Sequence, residues 1–350
     1  MQESNRTDNS IDVPTVSILM PCYNVADTVD VAVASLLGQT LPEHEIVAVD
    51  DGSTDTTGDH LADWVTRDSR VRRLSLPHRG IIPALNDGLS ACRAPLISRM
   101  DADDRAHPER LAKQVAFLDA HPDVALVGCL VEGFSADEVG EGFQLYIEWL
   151  NDLVTPEGIA REIFVESPLV HPSVTIRRAW IEQVGGYQDR GWPEDYDLWL
   201  RMHLSGARFA KVPEVLLSWR EHPARLTRTD ERYSADNFLR AKAHYLCQGP
   251  LHNREAVIVW GAGKMGRRLS KHLLHEKAPV TAFVDIDQAK IGRTRRGRPI
   301  IAPEDLLGWW RRYDRPVVLA AVGSRGARKL IRDRLNNMGL REGVDWWAVA

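Results

Sequence analysis

Short apolar runs rich in Val, Ile and Leu alternate with amphipathic stretches along the first 130 residues. VSILMP (16–21) predicts a strand, and Thr28 to Leu37 predicts a helix with Val29, Val33, Leu36 and Leu37 on one face. EIVAVD (45–50) predicts a second strand, with LADWV (61–65) in the helix that follows. VRRLSL (71–76), ALNDGLSAC (84–92) and APLISRM (94–100) continue the alternation. A helix over 108–120 opens on Pro108, a residue favoured in the first helical turn, and DVALVG (123–128) predicts another strand. Strand–helix repetition of this kind implies an α/β fold with a mostly parallel sheet covered by helices. Ligands of such sheets bind outside the carboxyl ends of the strands. The polar residues fall there: Pro21 to Asn24 after the first strand, Asp50 to Ser53 after the second, and Asp101, Asp103 and Asp104 after the fourth.

The middle, 131–240, is less regular and richer in Trp, Pro and His, with helical patches expected at 175–184 and 195–204. HPARLTRTDERYSAD (222–236) reads as a mobile loop entering a helix, and residues 246–253 as a linker. A second, smaller α/β unit follows over 254–350: strand AVIVW (256–260), a helix to about 275, strand VTAFVD (280–285), strand PVVLAAVG (316–323) and a helix over 325–338. The expected organisation is therefore a disordered tail (1–13), a first domain (14–245), the linker and a second domain.

Composition narrows the class. Apolar residues make up 44% and charged residues 27% of 350, enough for two globular cores. A net charge of −5, with RTRRGR (293–298) the one basic run, leaves no nucleic-acid footprint. Cys22, Cys92, Cys129 and Cys247 form no C-x-x-C pair and read as reduced core residues of a cytoplasmic protein. The polar start lacks the apolar core of a signal peptide. Without a long apolar run to span a bilayer, membrane contact would be peripheral, at the inner face.

Three carboxylates in four positions raise one another's pKa unless something compensates them. In an extended segment Asp101 and Asp103 face one way and Asp104 the other. Two such oxygen donors suit Mg²⁺ or Mn²⁺; a solvated turn capping the next helix is the alternative. Asp50 and Asp51 at a strand end can accept hydrogen bonds from a base or a ribose, while Gly52 lets the chain turn and Ser53 is a ready helix cap. Arg99 can pair with a carboxylate or phosphate, or form an ordinary surface salt bridge.

The ordered motifs VSILMPCYN, EIVAVDDGSTD, LISRMDADD and GWPEDYDLWLRM resemble those of the family 2 glycosyltransferases over about residues 14–240. That resemblance implies the GT-A fold and a metal-dependent, inverting transfer from a nucleoside-diphosphate sugar, with UDP the first expectation. It implies nucleoside contacts from Pro21, Tyr23, Asn24 and Asp51, with Asp50 and Ser53 beside them. It places the metal and diphosphate on Asp101 and Asp103, with His222 of SWREHPARLT as a further metal or diphosphate ligand. Asp195 is implied as the base that deprotonates the acceptor hydroxyl, and Glu194 as its alternate. His171, in LVHPSVTIRR, and Trp199 fall on the acceptor side. The acceptor would be a saccharide or a lipid-linked saccharide of cell-surface polysaccharide or glycoconjugate assembly.

Gly261-x-Gly263-x-x-Gly266 follows an apolar strand and opens a helix, and Asp285 ends the next strand, where a ribose-binding acid stands in Rossmann domains. This segment resembles the Rossmann-like domains of sugar-modifying enzymes and implies a nucleotide or NAD; glycines used only for packing are the alternative. A non-catalytic sugar-nucleotide sensor and an NAD-dependent oxidoreductase are the competing functions. The oxidoreductase leaves the first 240 residues without a role, and a sensor has no need of both a metal pair and a base.

Overall fold

The computed structural model describes residues 13–135 and 140–350; apart from Val13, the tail expected at 1–13 lies outside them. The first sheet has eight strands: β1 (Val16–Cys22), β2 (His44–Asp50), β3 (Val71–Ser75), β4 (Leu96–Arg99), β5 (Arg105–Ala106), β6 (Val124–Phe134), β7 (Thr175–Arg177) and β8 (Arg208–Arg220). Their order is β3-β2-β1-β4-β7-β6-β8-β5. The first four run parallel, β6 and β8 are parallel to each other, and β7 and β5 pair antiparallel with their neighbours. Every residue of β2 is buried, as expected of a parallel strand covered on both faces.

Most predicted elements overlap the observed ones, and several of the differences have a physical reason. The helix expected from Pro108 starts at Arg110, because the chain ahead of it is used on backbone contacts: Thr40 donates to the Pro108 carbonyl. The patch at 175–184 divides into β7 and a helix, Arg178–Gln183, since Thr175 to Arg177 complete the sheet beside β4. The passage at 222–236 is not one loop but folds into a short helix, Leu226–Thr229, and a 3₁₀ turn, Glu231–Tyr233. The linker expected from 246 begins inside the helix Ala235–Gln248.

The second sheet adds β9 (Ala256–Trp260), β10 (Val280–Val284), β11 (Thr294–Arg295), β12 (Arg298–Ile301), β13 (Pro316–Ala320) and β14 (Trp346–Ala348), in the order β11-β12-β10-β9-β13-β14. All its pairs are parallel except the β11–β12 hairpin. The two sheets share a packed boundary. Helix Ala235–Gln248 lies against helix Lys264–His275, joined by Asp236, which accepts from His272 at 3.1 Å. Glu162 of the first unit receives Arg328 and Arg332 of the second, each at 2.7 Å. The four cysteines carry no disulfide, and no helix of the described residues is long and apolar enough to cross a membrane.

Candidate active site

The carboxyl ends of β1, β2 and β4 open into a cleft of about 1000 Å³. Its floor begins where β1 ends. Asn24 adopts a left-handed conformation (φ 51°), and its side-chain oxygen accepts from Thr54 N–H at 2.8 Å, while the Ser53 hydroxyl accepts from Asn24 N–H at 3.1 Å. These bonds stitch the loops after β1 and β2 together. Gly52 has φ 71°, and a Cβ there would come within 2.5 Å of the His78 backbone nitrogen. That close approach lets Asp51 reach the segment after β3: its carboxylate accepts from Arg79 N–H and Gly80 N–H, both at 2.9 Å, and lies 2.9 Å from His78 Nδ1. Tyr23 stacks on the His78 ring with centroids 4.1 Å apart, forming an aromatic edge to the cleft.

Asp50 and Ser53 stand behind this floor and do not line the cleft. The Asp50 carboxylate accepts from Ser53 N–H at 3.0 Å and from Arg73 at 2.7 Å. Burial pushes its pKa up, but the Ser53 and Arg73 hydrogen bonds prevail and hold it low. Asp50, expected beside the nucleoside contacts, thus braces the loop from behind the cleft and does not line it.

The acidic corner differs from the extended segment expected. Residues 101–104 form a turn in which Asp104 N–H donates to the Asp101 carbonyl at 3.3 Å. This turn swings Asp104 onto the same side as its neighbours, so that oxygens of Asp101, Asp103 and Asp104 lie within 4.8 Å of one another. Asp104 is buried; one of its oxygens accepts from Arg220 N–H at 2.7 Å, and the other has no partner. Burial, reinforced by the neighbouring carboxylates, raises the pKa of Asp103, and that of Asp104 well above its usual value. An orphaned buried oxygen on Asp104, with two further carboxylates within reach, fits a divalent cation. His222 Nε2 lies 3.0 Å from an Asp103 carboxylate oxygen on the rim of this cluster, outside the group of three.

Arg99 is the residue the sequence left undecided, and the structure settles its place. It is no surface pair: its side chain is 2% exposed and meets Asp101 at 2.6 Å. Arg110, itself buried, donates to the Arg99 carbonyl at 2.6 Å and to Ser98 Oγ at 3.0 Å, which holds the end of β4 from beneath.

Across the cleft, helix Glu194–Leu204 begins with both acids facing inward. Glu194 accepts from the Tyr233 hydroxyl at 2.7 Å. Asp195 accepts from the adjacent Tyr196 N–H at 2.7 Å. Burial raises both pKa values, and the Glu194 carboxylate adds to the effect on Asp195, which reaches about 8. His171 lines the same space; its Nε2 lies 2.9 Å from the Tyr187 hydroxyl, and burial, with Arg99 close by, keeps the ring neutral. Trp199 is corrected. It is fully buried, packed edge-on beneath His171 at 5.8 Å, and does not reach the cleft. Trp192 is buried as well, whereas Trp219 lines the cleft.

Sequence reasoning missed Tyr187 and Tyr233, which orient His171 and Glu194; single tyrosines in irregular segments carry no pattern that marks them. Glu221, paired with Arg225 at 2.7 Å and with Arg228, orders the segment that carries His222.

In the second unit Gly261 (φ 118°) and Gly266 are required by packing: a Cβ would lie 2.8 Å from the Ala321 carbonyl oxygen in the first case and 1.8 Å from the Gly261 carbonyl oxygen in the second. Gly263 faces open space. Asp285 does not stand free for a ribose; it accepts from Ala262 N–H and Asp287 N–H, each at 3.0 Å, and pairs with Lys290 at 3.2 Å.

The cleft at the carboxyl ends of this mostly parallel sheet thus has an acid cluster on one wall and a buried carboxylate pair on the other. The family described as Glycosyl transferase family 2 matches residues 17–185. The amylovoran biosynthesis glycosyltransferase AmsE of Erwinia amylovora is 33% identical over 58% of this chain and 75% of its own length. An uncharacterized glycosyltransferase of Haemophilus influenzae is 30% identical over 60% of this chain, and the match spans 66% of that relative. The structure of TarS from S. aureus, in complex with UDP-GlcNAc, superposes with a TM-score of 0.56 at 18% identity, covering 74% of this chain and 71% of that one. The chain belongs to the family 2 glycosyltransferases. A separate family, described as C2185-like, N-terminal, matches residues 253–343.

Proposed function

We propose that the protein moves a glycosyl group from a nucleoside-diphosphate sugar, with UDP as the first candidate, to an acceptor hydroxyl with inversion at the anomeric carbon. The observation that carries this reading is that the carboxylate cluster and the Glu194–Asp195 pair share one cleft. The relative named for amylovoran biosynthesis supports a role in polysaccharide or glycoconjugate assembly. The work would be done in the cytoplasm, at the inner face of the membrane where the acceptor is lipid-linked.

Pro21, Tyr23, Asn24 and Asp51 form the floor on which the nucleoside rests. Asp101, Asp103 and Asp104 would hold Mg²⁺ or Mn²⁺, with His222 at their edge. Such a cation supplies positive charge against the diphosphate as it leaves. Asp195 takes the proton from the acceptor hydroxyl while the oxygen attacks the anomeric carbon from the face opposite the diphosphate. A pKa near 8 makes its carboxylate a stronger base than a solvated aspartate. Glu194, held by Tyr233, keeps that proton affinity high, and neutral His171 borders the acceptor's approach. We read the domains as 14–245 and 254–350, the second Rossmann-like.

The test is release of UDP or GDP from a panel of sugar nucleotides, with Mn²⁺ and again in excess EDTA. Turnover of one donor that EDTA abolishes supports the reading; turnover undiminished by EDTA removes the metal from it, and no turnover of any donor removes the reading.

A further inference from the structure

The second unit has its own cavity, of about 820 Å³, at the carboxyl ends of β9, β10 and β13. Nothing in the transferase chemistry uses it. Its floor is the turn from Gly261 to Gly263 and the first turn of the twelve-residue helix Lys264–His275, whose amino end has no side-chain cap. The leading N–H groups of a helix carry partial positive charge and favour an anion. Lys264, Arg268, Lys290 and Arg334 line the cavity against one acid, Asp285, which Lys290 already neutralises. The cavity is thus cationic at one end. Its other walls are apolar, and they include Ile286 and Leu330, each 71% exposed despite their size. Large apolar side chains left open around a cationic floor suit a flat heterocycle that carries phosphate. Gly263 adds to this, since packing does not require a glycine there: a side chain would project into open space.

One helical turn belongs to two cavities. Met265 and Arg268 line this cavity and also the catalytic cleft. Arg268 is held at the boundary by Asp236, 3.7 Å away on the helix Ala235–Gln248, which follows directly on the turn carrying Tyr233. Tyr233 in turn bonds Glu194 of the carboxylate pair.

We infer that the C-terminal cavity binds a nucleoside phosphate, and that its occupancy alters transfer in the catalytic cleft through the shared turn Met265–Arg268. A phosphate on the floor competes with Asp236 for Arg268, and any shift of that guanidinium changes the wall of both spaces. The binding half of this inference is independent of the proposed transfer; the coupling half rests on it.

The experiment uses the full chain. Calorimetry with ADP, GDP and UDP in EDTA is run on the wild type and on Gly263→Leu, which places a side chain on the floor where an added Cβ meets nothing within 4 Å; Lys264→Glu, an exposed change, serves as the second variant. At least one nucleotide should bind the wild type and lose about tenfold or more in affinity in both variants, as expected for removing an anion site. The basal transfer rate of Gly263→Leu should match the wild type. The bound nucleotide should change wild-type transfer by about fivefold or more, within the usual range of coupling between sites, and leave the variant's rate unaltered. Equal binding by wild type and variants, or no binding of any nucleotide, overturns the site. Binding with no change in transfer overturns the coupling. A failure of transfer with every donor, with binding intact, instead counts against the proposed function alone.

Discussion

The Arg99 guanidinium sits 2.6 Å from the Asp101 carboxylate at the end of β4, with the arginine side chain only 2% exposed. A buried cation therefore stands between the cluster on one wall and the Glu194–Asp195 pair on the other, and its field favours ionised Asp195. Arg99→Met should raise the pH at which transfer turns on, because it removes the buried cation that favours ionised Asp195. Arg99→Lys, which keeps the charge, should leave the pH midpoint close to wild type. A pH–rate profile unmoved in Arg99→Met would show that the guanidinium has no part in setting the base.

The pH dependence itself has a definite sign. Burial and Glu194 lift Asp195 to about 8, and a base must be deprotonated to act, so the transfer rate should rise with pH through about 8 and then level. Glu194→Gln removes the like charge while keeping an acceptor for Tyr233, so the rising limb should move to lower pH. A limb that moves to higher pH in that variant would contradict the electrostatic account.

Asp104 is expected to matter for the cation although the sequence sets it apart from Asp101 and Asp103. Asp104→Asn keeps an acceptor for Arg220 N–H and removes a negative charge from the cluster. The Mn²⁺ concentration for half-maximal transfer should rise by about tenfold or more, with the melting temperature unchanged or higher, since the buried charge is gone. An unchanged Mn²⁺ requirement would return Asp104 to a purely structural role.

Much of the first unit was legible because its strands are uniform apolar runs. Ile18 to Met20 and Ile46 to Val49 are unbroken apolar runs, and the polar residues of the cleft follow soon after each. Other parts were hidden for physical reasons. β8 contains Pro213, and the pairing with β6 skips from Val212 to Val215 there, so a thirteen-residue strand looks irregular in sequence. The turn at 101–104 inverts the side on which Asp104 falls, and alternation cannot show a turn. Burial of Arg99 depends on Arg110 and on β7, which arrive from distant positions. Trp199 carries the right residue type in the right motif, yet long-range packing assigns it to the core, and Asp285 lines the C-terminal cavity already paired with Lys290.

The most direct test of the central claim is the transfer rate of Asp195→Asn, measured above the Asp195 midpoint with saturating Mn²⁺ and the donor that the wild type uses. Asparagine fills the same space and removes a carboxylate that burial disfavours, so the variant should melt at or above the wild-type temperature. Its transfer rate should fall by about a hundredfold or more, the usual scale for loss of a general base. A folded Asp195→Asn protein that transfers sugar at the wild-type rate would contradict the account.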